Sequence, residues 1–85
     1  MKIVGLADGE IVQRVNGGQK PAVRMEVRGV HGEVNWMVNG RYVARTGAAA
    51  GHLLRFDDAG RYDITAFDDQ GKYDRVSVSV RGGFP

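Results

Sequence analysis

Apolar and polar side chains alternate along most of this chain, most sharply in its last third. Tyr62, Ile64 and Ala66 fall at every second position. After a turn at Asp68-Asp69-Gln70-Gly71 the period resumes at Val76, Val78 and Val80. Two period-two runs joined by a glycine-containing turn predict a hairpin with one buried face. Val23, Met25 and Val27 alternate with Arg24, Glu26 and Arg28, which predicts a strand with one apolar and one charged face. Val34 to Val38 and Arg41 to Ala44 flank Asn39-Gly40. Asn-Gly between two such runs is a strong hairpin signal, because a type I′ turn needs positive φ at both central residues. That turn sets Val38 opposite Arg41, Met37 opposite Tyr42 and Trp36 opposite Val43. Trp36 and Val43 are therefore assigned to the core. Arg41 lies on the same face at its rim, where its stem can reach water.

The remaining segments are shorter. Ile3 to Leu6 predicts an edge strand, Asp8-Gly9 a turn, and Glu10 to Val15 a second short strand closed by Asn16-Gly17-Gly18. Gly29 to Gly32 reads as a loop. Thr46-Gly47-Ala48-Ala49-Ala50-Gly51 reads as a mobile loop, or a linker replacing part of the sheet. His52 to Phe56 predicts a strand burying Leu54 and Phe56, and Gly82 to Pro85 a frayed tail. Asp58-Ala59-Gly60-Arg61-Tyr62 resembles the tyrosine corner of immunoglobulin-like domains, whose hydroxyl reaches a backbone group. The expected fold is all-β: an Ig-like antiparallel β-sandwich of about seven or eight short strands, with residues 1–85 forming a single domain.

Composition narrows the function. A chain of 85 residues buries roughly 60–65% of its extended surface, enough for one core but not for a large enclosed active site. The net charge is only +2, and the cations are scattered with no run of five like charges. That argues against nucleic acid, which calls for a concentrated basic stripe. Without cysteine there is no disulfide and no thiolate metal site. No apolar run approaches the roughly 18–20 residues of a membrane-spanning helix. The apolar start, Met1 to Ala7, is too brief for a signal peptide. The chain is expected to be either cytosolic or a fragment of a larger protein.

Three motifs in order carry a family resemblance. The opening is Ile3-Val4-Gly5-Leu6-Ala7-Asp8-Gly9 and the centre is Trp36-Met37-Val38-Asn39-Gly40. The close runs Gly60-Arg61-Tyr62-Asp63-Ile64-Thr65-Ala66-Phe67-Asp68-Asp69-Gln70-Gly71. Together they resemble the small C-terminal β domain of bifunctional class A penicillin-binding proteins, in which it follows the transpeptidase. The opening matches loosely, and the alanine-rich segment at 47–51 departs from the pattern. The structural motif carried over consists of Trp36, Asn39, Gly40, Gly60, Tyr62, Asp68 and Gly71. The resemblance implies a non-catalytic accessory domain of a peptidoglycan synthase, making protein–protein or domain–domain contacts. It further implies a periplasmic location, on a parent anchored in the inner membrane. The expected partners are other domains of that parent or a cell-wall protein. A carbohydrate-binding module for peptidoglycan glycan strands is the alternative. No cofactor, nucleic acid or membrane insertion is expected.

The residues themselves offer little catalytic chemistry. A transpeptidase needs Ser-x-x-Lys and a Lys-Thr-Gly strand. Neither Ser77 nor Ser79 has a lysine three residues on, and Arg45-Thr46-Gly47 mimics the second motif without its partners. His31 and His52 fall in a loop or at a strand start, and the serines are expected to face solvent. No catalytic, metal or cofactor residue is assigned. Asp57-Asp58 and Asp68-Asp69 offer the oxygen ligands calcium favours. Asp58 and Asp68, however, are separated by roughly 30 Å of extended strand. Turn formation, with each carboxylate bonding its own downstream backbone, is the better reading. Trp36 is read as a core indole rather than a sugar-stacking platform.

One set of positions resists a purely structural role. If Trp36, Val38, Ile64, Ala66 and the three valines face inward, then Met37, Tyr42, Phe67 and Tyr73 share the opposite, exposed face. Clustered exposed aromatics mark a candidate contact surface.

Overall fold

The computed structural model describes residues 1–13 and 21–82. The expected Asn16-Gly17-Gly18 turn and residues 83–85 of the expected tail lie outside them. The described elements are eight strands, β1 (Lys2–Val4), β2 (Ile11–Gln13), β3 (Ala22–Arg28), β4 (Glu33–Val38), β5 (Arg41–Gly47), β6 (His52–Arg55), β7 (Gly60–Phe67) and β8 (Tyr73–Arg81). They form a three-stranded sheet in the order β1-β3-β6 and a five-stranded sheet in the order β2-β8-β7-β4-β5. The all-β sandwich expected from the alternation is the fold observed. Among the described residues, β2 pairs with β8 in parallel and every other pairing is antiparallel.

The two inner faces supply one core. The three-stranded layer contributes Ile3, Met25, Val27 and Leu54, joined by Phe56 just beyond β6. The five-stranded layer contributes Val34, Trp36, Ile64, Ala66, Val76, Val78 and Val80. Each position follows from a strand period of two, which sends alternate side chains to one face. Burying each large apolar side chain contributes about 1.5–3 kcal/mol. Trp36 is fully buried, and its indole N–H donates to Thr46 Oγ1 at 2.8 Å, so the buried donor is satisfied.

The chain changes layers between β1 and β2. Leu6 is buried under that crossing. Gly5, at φ +106°, passes so close to β3 that a Cβ there would lie 2.4 Å from the Arg24 carbonyl oxygen. The Asp8-Gly9 turn then docks on β8. Gly9 N–H donates to Ser77 O at 2.7 Å, and Asp8 Oδ1 accepts from Ser77 N–H at 2.8 Å. The opening motif thus has a local reason: two apolar anchors, a glycine at a close approach, and an Asp-Gly turn that reaches the second sheet.

Two expectations about the middle of the chain require correction. Trp36 does not face Val43. The ladder shifts between Trp36 and Met37, so that Trp36 opposes Ala44 while Met37 still opposes Tyr42. Val43 is the extra residue of a β-bulge and is 44% exposed, so it does not belong to the core. Nor is the alanine-rich segment a linker. β5 runs through Gly47, and Ala48 packs into the core. Gly51 N–H donates to Gly47 O at 3.0 Å, closing an α-turn. Ala48 N–H donates to Gly32 O, and its carbonyl accepts from Val27 N–H. A Cβ on Gly51 would lie 2.2 Å from the Met25 carbonyl oxygen, so only glycine fits this return to β6.

Candidate functional site

The outer face of the five-stranded sheet gathers all four residues of the expected contact surface. Cross-strand pairing puts Met37 opposite Tyr42 and Phe67 opposite Tyr73. The two pairs are bridged by Asn35, which lies opposite Phe67 on β4. Tyr42 is 57% exposed and Tyr73 70% exposed, while Met37 and Phe67 are half-buried beside them. Outward orientation is enforced from the other side of the sheet. The inner positions of the same strands hold Trp36, Ile64, Ala66 and Val76, and a one-residue slip would expose them.

Polar side chains organise this face. Asn35, only 6% exposed, is the one buried polar residue among those described. Its Oδ1 accepts from Tyr42 Oη–H at 3.0 Å and from Arg45 Nη1 at 3.2 Å, and its Nδ2 donates to Phe67 O at 3.3 Å. Arg45 also spans the carboxylates of Asp69 and Glu33. Its Nη2 donates to Asp69 Oδ2 at 2.9 Å, and its Nε donates to Glu33 Oε2. The hydrogen bond to Asp69 is the main reason the guanidinium pKa is raised, and that from Arg45 the main reason the Asp69 carboxyl is lowered. Bidentate pairing of this kind fixes geometry as well as charge. Further along the face, Asp63 accepts from Ser77 Oγ at 2.6 Å and pairs with Arg75 at 3.1 Å. The serine hydrogen bond is the first cause, and Arg75 a further one, of its lowered pKa.

The sequence motif residues serve the fold. Asn39 (φ +52°) and Gly40 (φ +80°) take the left-handed conformations of the β4–β5 turn. The Asn39 side chain also accepts from Asp63 N–H at 2.8 Å, tying the turn to β7. Gly60, at φ +140°, opens β7 in a conformation that L side chains rarely adopt. Tyr62 closes a tyrosine corner, its hydroxyl donating to Asp58 O at 2.7 Å while its ring packs edge-on to Phe56 at 4.9 Å. Asp68 Oδ1 accepts from Gln70 N–H and Lys72 N–H, and Gly71 completes that turn at φ +87°. The turn reading of Asp68 therefore holds. Its neighbour Asp69 is instead spent on Arg45.

The residues weighed for catalysis are also engaged structurally. Ser77 donates to Asp63, Thr46 holds the indole, and Arg45 is clasped by two carboxylates. His52 lies tilted against Trp36, with ring centroids 6.2 Å apart. His31 borders an open polar cleft of about 330 Å³ with Glu33, Arg45, Asp69 and Lys72. Sequence reasoning missed Asn35, Arg45 and Asp69. Asn35 carries the outward parity of β4, and the bulge at Val43, two residues before Arg45 on β5, brings Arg45 alongside it.

Fold and face together define a small β-sandwich module with an aromatic outer surface set in satisfied polar groups. The chain belongs to the penicillin-binding protein C-terminus family, whose model matches residues 1–80 and so nearly the whole length. The resemblance carried by the three motifs is borne out, and the domain is of the type found at the C-terminus of bifunctional penicillin-binding proteins. No curated protein and no solved structure matches the chain.

Proposed function

We propose that this domain is a non-catalytic accessory module of a peptidoglycan synthase, acting through contact made by the outer face of the five-stranded sheet. Its partners are other domains of the parent synthase or a cell-wall protein, in the periplasm beside an inner-membrane anchor. The observation that carries the reading is the exposure of Tyr42 and Tyr73 on a face whose Asn35, Arg45 and Asp69 side chains are already paired with one another. Tyrosines supply large amphipathic area, and aromatic residues are enriched in the cores of protein interfaces. The pre-ordered Asn35–Arg45–Asp69 network lowers the cost of ordering side chains on binding. An Ig-like relationship is supported by the tyrosine corner and by the strand order. The first, third and sixth strands form one layer, and the remaining five form the other.

The carbohydrate-binding alternative loses its first platform, because the Trp36 indole is fully buried. It would have to use Tyr42 and Tyr73 instead. The test is titration of the domain, by calorimetry, into the transglycosylase–transpeptidase portion of a synthase of this family, alongside co-sedimentation with purified sacculi. Tyr42→Ser combined with Tyr73→Ser is expected to weaken protein binding at least tenfold, a loss of about 1.4 kcal/mol. Asn35 Oδ1 keeps its bond from Arg45 when the Tyr42 hydroxyl is lost, so the pair of substitutions should cost no more than about 1–2 kcal/mol of stability and leave the domain folded. Binding that ignores both substitutions refutes this face. Binding to sacculi that is lost with the tyrosines, without any protein binding, favours the glycan alternative.

A further inference from the structure

The opposite surface of the sandwich, the outer face of β1-β3-β6, has a different chemistry. Period-two alternation sends Lys2 and Val4 of β1, Ala22, Arg24, Glu26 and Arg28 of β3, and Leu53 and Arg55 of β6 to this side. Their inward neighbours Ile3, Met25, Val27 and Leu54 are in the core. Among these described strand positions, four cations stand against one anion, a net of +3. That exceeds the +2 of the entire chain, so the rest of the sequence is net negative.

Three features make this more than a solvated face. Lys2 and Arg28 are directly opposite across the β1–β3 ladder, a placement that destabilises a sheet, and among the described residues their same-face neighbour Glu26, opposite Val4, forms no ion pair with either. Among the described residues, Lys2, Arg28 and Arg55 form no ion pair, and Arg24 is held by the neutral Ala50 carbonyl at 2.8 Å. Leu53, directly opposite Arg24, is 43% exposed in the midst of the cations. A side chain of that size, left in water among positive charges that carry no ion pair among the described residues, matches an interface that is anionic at its surface and apolar just beneath.

We infer that this face docks peripherally on an anionic phospholipid bilayer, with Lys2, Arg24, Arg28 and Arg55 over the headgroups and Leu53 entering the acyl boundary. The occupant follows from the chemistry of the face. The cations are spread over three strands of an open sheet rather than lining a groove, which suits a planar array of phosphates. Among the described residues, none of the outward positions of β1, β3 and β6 is aromatic, so none can stack bases as single-stranded nucleic acid requires. Basic clusters with apolar partners bind such surfaces through buried apolar area plus attraction to acidic lipids. The aromatic face lies on the other sheet, so both surfaces can be occupied together. The inference stands independently of the protein-contact reading.

The test is co-flotation of the whole chain with vesicles of phosphatidylcholine, with and without one-third phosphatidylglycerol, at low and at physiological salt. Binding is expected only to the anionic vesicles. It should weaken as the Debye length shortens to about 8 Å at physiological ionic strength. Each cation removed should lower the partition coefficient roughly fivefold, so that Arg28→Gln with Arg55→Gln loses about 25-fold. Leu53→Ser should weaken binding further, and Tyr73→Ser should leave it unchanged. An independent pair, Lys2→Gln with Arg55→Gln, repeats the measurement should the first unfold, as monitored by circular dichroism. No binding to anionic vesicles at low salt overturns the inference. So does binding by both charge-removed variants as tight as that of the unaltered chain, or tighter binding to a single-stranded oligonucleotide than to the vesicles with the same dependence on these arginines.

Discussion

The hairpin β7–β8 carries an unbroken ladder from Phe67–Tyr73 to Gly60–Val80, whereas β4–β5 loses its register after two pairs. The difference lies in what each strand would lose by slipping. β7 and β8 are interior strands, and their inner positions are Ile64, Ala66, Val76, Val78 and Val80. A shift of one residue would expose that whole set. β5 is an edge strand whose inner positions after the bulge are Ala44 and Thr46. Without the bulge, Arg45 would point into the core opposite Val34, and Ala44 would take its place on the outer face. The bulge keeps a charge out of the core, gives the indole its acceptor and brings Arg45 beside Asn35. A turn fixes register only as far as the pairs it directly constrains, and side-chain burial decides the rest.

That contrast is open to a graded set of measurements. The severest is deletion of Thr65 from the middle of β7. It reverses the parity of one half of the strand, and the cooperative denaturant transition is expected to disappear, since the whole domain is stabilised by only about 5–15 kcal/mol. Next is Thr46→Val, which preserves shape but leaves the buried indole N–H without an acceptor. A loss of about 1–3 kcal/mol is expected in equilibrium unfolding, and a smaller one would mean that the bulge is not held by this hydrogen bond. The mildest is deletion of Val43. Removing the unpaired residue restores a regular ladder with Trp36 still opposite Ala44. A change below about 1 kcal/mol is expected, as for other exposed positions. Unfolding on deletion of Val43 would show that the bulge itself is required.

Legibility in the sequence followed the same division. The alternation of β7 and β8, the Asn39-Gly40 turn and the Tyr62 corner could be read because each is set by local chemistry. The bulge at Val43 could not, because it depends on Arg45 and Thr46, which lie beyond the segment that the turn constrains. The core position of Ala48 was hidden in a run of small residues whose packing depends on β3 and β4. The parallel pairing of β2 had no local signal in a strand as short as Ile11–Gln13. Of the candidate site, the four outward side chains were legible from parity. Asn35, Arg45 and Asp69 were not, since their association needs three strands in register. The cations of β1, β3 and β6 looked dispersed along the chain for the same reason, and only strand pairing collects them.

The parallel alignment of β2 with β8 has a mechanical consequence. The first strand of the five-stranded layer and its last-in-sequence strand run side by side in the same direction, fastened by the Ile11–Ser79 to Gln13–Arg81 register and by the Asp8-Gly9 clasp on Ser77. Tension drawn between the start of β2 and the end of β8 would load these bonds together in shear, rather than peel them apart one at a time. Along that line of force the bonds of β2 and β8 must yield together, and β8 carries Val76, Val78 and Val80 of the core.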